Sequence, residues 1–114
     1  GRQRQAALLA FSAFSELKHV MLIDEDVDVF DINDVMWAMT TRYQGDVSTI
    51  FIPGVRCHPL DPSSDPAFSP SILGHGIACK TIFDCTVPWN LKANFQRSKF
   101  LEVDVNRFIP GFKK

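Results

Sequence analysis

The sequence has too little of several things that would mark a membrane protein, a secreted scaffold or a nucleic-acid binder. No stretch approaches the roughly 20 consecutive apolar residues that a bilayer-spanning helix needs. The opening GRQRQAALLAFSAF has too short an apolar stretch for a secretory signal. Three cysteines, Cys57, Cys79 and Cys85, make no even-numbered framework, which argues against a disulfide scaffold and for a reducing compartment, the cytoplasm. Charge of one sign is also missing. With 12 basic and 13 acidic residues the net charge is -1, so there is no general field to draw in nucleic acid or an anionic membrane surface. An initiator Met is absent, and the final NRFIPGFKK shows no evident closing element. We therefore expect a fragment of a larger protein.

What is present suits one small domain: 114 residues, 46% of them hydrophobic, enough for a modest core. Ala7, Leu8, Ala10, Phe11 and Phe14 recur at three- and four-residue spacing and predict a helix from Arg4 to Ser15. Val20-Met21-Leu22-Ile23 is an apolar run without alternation, as in a strand covered on both faces. Asp31 can cap a second helix running to about Tyr43, with Asp34 at its third position and Phe30 closing on Val35 as a hydrophobic staple. Val47 to Ile52 is β-branched and reads as the next strand. From Pro53 to Gly76, five prolines and three glycines predict a long excursion without regular structure. Ile77 to Val87 alternates as a third strand, and Leu91 to Val105 is weakly helical. The order gives an α/β fold: a three-layer sandwich with a small, mostly parallel sheet and flanking helices.

Few residues offer chemistry. Asp24, Asp26 and Asp28 alternate like the first ligands of a calcium loop, but Val29 and Val35 stand where that loop needs Gly and Glu. A solvated loop with helix capping is the better reading than a looser magnesium or manganese site. Cys57 and His58 are adjacent and Cys79 and Cys85 six apart, spacings unlike those of structural zinc sites, and neighbouring Cys57 and His58 point apart in an extended loop. The glycines of Gly74-His75-Gly76 do not join a strand to a helix and read as a turn. Met36 and Trp37 read as core. GVRCHPLDPS, residues 54 to 63, begins past the second strand, where ligands gather if strands are parallel. There Arg56 could pair with a carboxylate and His58 could hydrogen-bond a phenolic oxygen; a surface salt bridge and a solvated imidazole are the plainer alternatives.

KHVMLIDEDVDVFDINDVMWAMTTR, the later GVRCHPLDPS and then GIACKTIFDCTVP resemble the C-terminal portion of UbiD-like aromatic acid decarboxylases, over roughly residues 1 to 88. The resemblance implies that residues 1–114 are a single C-terminal domain, with a family-like core at 1–88 and a tail at 89–114. It implies reversible, non-oxidative decarboxylation of aromatic acids using prenylated flavin mononucleotide (FMN), a divalent metal (Mn or Mg) and K. The flavin and metal contacts and the proton-moving Glu-Arg-Glu set belong to the preceding portion. No catalytic or metal-binding residue is then expected here, and the isolated fragment should bind no cofactor and be inactive. The substrate-binding residues the resemblance implies are His58, over a phenolic ring, with Pro59 and Leu60 packing on it. A family lysine near the cofactor has Lys18 as its nearest candidate. Expected partners are the N-terminal flavin-binding domain, a small aromatic acid and further copies of the chain; exposed Phe95, Phe100 and Phe108 could contact either the missing domain or a second subunit. A stand-alone α/β interaction module using that same tail is the alternative.

Overall fold

The computed structural model describes residues 2–96 and Gly111; Phe100 and Phe108 lie outside them. Helix α1 (Arg2–Ala13) is followed by β1 (His19–Ile23), helix α2 (Ile32–Arg42), β2 (Thr49–Arg56) and β3 (Ile77–Cys85), with short 3-10 turns at Pro62–Ser64 and Trp89–Phe95. The sheet order is β1-β3-β2. β1 runs parallel to β3, from His19 opposite Thr81 to Ile23 opposite Cys85. β2 runs antiparallel to β3, from Thr49 opposite Phe83 to Arg56 opposite Ile77. The α/β class stands, and the sheet is mixed: one of its two pairings is parallel.

β3 is central and alternates between two covers. On one face Ile82 packs with Ala7 and Phe11 of α1, bordered by Val20, Leu22, Ile50 and Ile52. On the other, Tyr43 at the end of α2 meets Phe83, ring centroids 5.8 Å apart, and Ala38 is fully buried. Three layers result.

The α1 face of β3 also carries two buried charges, Lys80 and Asp84. Helix α1 has no acid in its first turn and no base in its last. β3 supplies both. Asp84 accepts from Arg4 Nε at 2.7 Å beside the helix start, and Lys80 Nζ donates to the carbonyls of Ser15 (2.6 Å) and Leu17 just past its end. Each sign opposes the helix dipole end it faces. Burial works to raise the Asp84 pKa, but the Thr86 hydroxyl and N–H and the Arg4 guanidinium outweigh it and hold the carboxyl below its ordinary value.

Two local expectations fail. β2 does not stop at Ile52 but continues through Arg56, because a bulge between Ile52 and Val55 absorbs Pro53, which has no N–H to give, and Gly54, whose φ of +68° suits glycine. Phe30 is 96% exposed and makes no staple. Helix α2 is instead opened by Asp31 Oδ1, which accepts from Asn33 N at 3.0 Å, and by Asp34 Oδ2, which accepts from Asp28 N at 2.6 Å.

Candidate functional site

Because β2 is antiparallel, its exit lies at the end of the sheet where β1 and β3 begin. GVRCHPLDPS is therefore not at the carboxyl ends of parallel strands, and the positional reason for expecting a ligand there is withdrawn. Gly54, Val55 and Arg56 are strand residues, Arg56 exposed and opposite Ile77. Cys57 turns inward, buried, its thiol donating to Glu16 O at 3.5 Å, while His58 turns outward with its side chain 42% exposed.

The loop that follows is tied down at many points. Cys57 N donates to Gly76 O at 2.7 Å, closing its two ends. Asp61 Oδ1 accepts from Ser63 N at 2.9 Å and from the Ser63 hydroxyl, while Asp61 Oδ2 pairs with Lys18 Nζ at 2.8 Å. Lys18 first, then Ser63, hold the Asp61 carboxyl down to about 2. Buried Ser64 donates to Asp61 O and accepts from Gly76 N. Gly76 has φ +77°, and a Cβ there would lie 3.4 Å from Pro59 Cα, so the glycine permits the loop to close over it. Lys18, the candidate for a cofactor lysine, is thus committed to Asp61 and Ser63.

These anchors present His58, Pro59 and Leu60 as an exposed rim, Leu60 being 81% exposed. The Leu60 N–H donates to His58 Nδ1 at 3.0 Å. With Nδ1 accepting that bond, Nε2 is the ring nitrogen left to donate outward. That N–H is 3.8 Å from Glu16 Oε1, too long for a hydrogen bond. The two stand as a donor and an acceptor beside each other with a space between.

The acidic stretch lies at the other end of the sheet. Arg42 reaches back from α2 to Asp26 with two bonds of 2.8 and 2.7 Å, to Asp24 at 3.1 Å and to Phe95 O at 3.1 Å, with its guanidinium 4.9 Å from the Trp37 ring centroid. Asp24 also accepts from Val87 N at 3.0 Å. The Asp26 hydrogen bond raises the Arg42 pKa despite burial. Trp37 is thus half-buried beneath a cation and Met36 is 44% exposed, so neither is simple core. Phe95, expected to be exposed, is half-buried and lends its carbonyl to this cluster. An open cleft of about 920 Å³ adjoins it, lined by the Arg4–Asp84 and Arg42–Asp24 pairs together with Glu25 and Lys92.

Lys80 and Glu16 escaped the sequence reading. Lys80 had a signal, a charge on the face of β3 that carries Ile82. Glu16 had none, because only the fold brings residue 16 to residue 58.

Residues 1–85 match the family model described as the 3-octaprenyl-4-hydroxybenzoate carboxy-lyase C-terminal domain. Gallate decarboxylase of Lactiplantibacillus plantarum is 55% identical over 104 residues, covering 90% of this chain and 21% of that protein. The apo 3,4-dihydroxybenzoic acid decarboxylase of Enterobacter cloacae superposes with a TM-score of 0.84 at 62% identity, over 96% of this chain and 22% of that one. The UbiD-class enzyme HmfF of Pelotomaculum thermopropionicum, solved with FMN, gives 0.75 at 32% identity, over 88% of this chain and 21% of that one. The chain thus spans about a fifth of the length of these relatives.

Proposed function

We propose, from the premise that this chain belongs to the family of UbiD-type carboxy-lyase C-terminal domains, that it forms the substrate-side wall of a reversible, non-oxidative decarboxylase of phenolic carboxylic acids. The observation that carries this reading is the outward Nε2–H of His58, fixed as a donor by the Leu60 N–H on its other nitrogen. A phenolic oxygen is the complementary acceptor. Pro59 and Leu60 add an exposed apolar surface for the ring.

The remainder of the enzyme, in this reading, is the N-terminal flavin-binding domain that precedes the chain. It holds prenylated FMN, a divalent metal (Mn or Mg) and K. The residues present fit one wall of such a pocket and not the cofactor site itself: Lys18 is already paired, and no group of three His, Cys, Asp or Glu among the described residues could hold a metal. When bound, the flavin supplies the electron sink for release of carbon dioxide. This chain orients the ring and covers it from water. Assembly into a homo-oligomer and a cytoplasmic location, consistent with three free thiols, belong to the same proposal.

The test is His58→Ala in the longer enzyme, assayed on phenolic and on non-phenolic aromatic acids. Loss of one hydrogen bond predicts about a tenfold fall in kcat/KM for phenolic acids and a much smaller one for the others. An equal fall for both removes His58 from substrate recognition.

A further inference from the structure

We infer that Glu16 is a second specificity-determining residue of this site, and that with His58 it makes the enzyme distinguish a ring hydroxyl from a ring methoxyl. This rests on the reading of His58 above and adds a residue to it.

The geometry starts from the 3.8 Å separation between His58 Nε2 and Glu16 Oε1. Neither atom satisfies the other, and both side chains are about half exposed, at 42% and 48%. An oxygen about 2.8 Å from each atom closes a triangle across that gap at normal hydrogen-bond lengths. His58 offers a proton there, because Leu60 N–H occupies Nδ1. Glu16 offers only lone pairs. The group that completes both must accept one hydrogen bond and donate another, which a phenolic hydroxyl does and an aryl ether cannot. Two neighbouring ring hydroxyls meet the same demand with one oxygen apiece.

Glu16 is held firmly enough to discriminate. Lys80 Nζ binds the carbonyls of Ser15 and Leu17 on either side of it, and the Cys57 thiol binds its own carbonyl at 3.5 Å. These anchors use the backbone of the turn and leave the carboxylate to face His58. Lys18, two residues on, pairs with Asp61, so it leaves Glu16 as an acceptor. A methoxyl in the same place would meet His58 but set a methyl against a carboxylate left without a donor. Hydrogen bonds to charged groups are worth enough that the preference should be about tenfold or more.

The experiment measures binding of catechol and of its dimethyl ether, veratrole, which has no hydroxyl to donate, to the cofactor-loaded longer enzyme by calorimetry, so that no turnover is needed. The unaltered enzyme is expected to prefer catechol at least about tenfold, Glu16→Gln to keep a reduced preference through its amide oxygen, and Glu16→Ala to bind the two within about threefold of each other. His58→Ala should weaken both compounds, since both oxygens accept. A ratio unchanged in Glu16→Ala, or equal weakening of both compounds, makes Glu16 a structural residue of the turn and overturns the inference while leaving His58 in place. Unchanged binding of both in His58→Ala overturns the reading on which it rests.

Discussion

Replacing Lys80 by Met tests the polar clamp that fixes the turn between α1 and β1. Met keeps the length and apolar stem of the side chain and removes only the ammonium. That ammonium is buried, donates to two carbonyls and lies 5.2 Å from the Phe11 ring centroid. Two carbonyls left without a donor cost about 1 kcal/mol each, at the low end of the usual range because exposed Ser15 can recruit water. The lost helix-end charge and ring contact add roughly 0.5 kcal/mol apiece. Against this about 3 kcal/mol stands relief from keeping a charge out of water, which in some proteins makes an apolar replacement neutral. With three favourable partners around one nitrogen, that relief is expected to offset only about a third, for a net loss of about 2 kcal/mol. Native-state hydrogen exchange at the amides of residues 17–20 should then show protection reduced about thirtyfold. The catechol preference assigned to Glu16 should shrink in the same variant. Protection within about twofold of the parent would refute the clamp and show that apolar packing alone sets this turn.

Arg42→Lys should destabilise the domain by about 2 kcal/mol, measured as loss of protection across α2, because one ammonium cannot replace a fork bonded to Asp26, Asp24 and Phe95 O together. Part of the loss is regained: Arg42 Nε is buried without a hydrogen-bond partner among the described residues. Asp61 makes the loop acid-sensitive. Its folded pKa of about 2 lies below the ordinary 3.8, so its contribution is complete above 3.8 and is lost as the pH falls through 2. Exchange at the Ser63 amide should accelerate across that window relative to a control amide, and Asp61→Asn should abolish the difference.

Much of the architecture was legible because local chemistry and tertiary structure agree. Asp31 caps α2 as its spacing required, and the alternation of β3 matches its two covers. Gly74 to Gly76 turns into β3, with Ile77 N donating to Gly74 O. Legibility failed where the deciding interaction is remote. The direction of β2 depends on which strand it joins, which no residue within it states. Pro53 and Gly54 read as a break, yet a bulge carries them inside a strand. The acids of 24 to 31 read as architecture, but their spacing does not name their partner: Arg42, sixteen residues past Asp26, ties that stretch to its own helix. At the site, the candidacy of His58 was visible in the sequence, while its tautomer, set by Leu60 N–H, and its neighbour Glu16 required the fold.

The hydrogen bond from Cys57 to the carbonyl of Gly76 separates what can vary from what must not. Everything between those residues hangs from a fastened neck on two antiparallel neighbours, so lengthening or rewriting it leaves every strand in register. Even doubling it adds only about 0.6 kcal/mol of closure entropy. The segment can therefore be lengthened or exchanged as a unit while the sheet beneath it keeps its pairing.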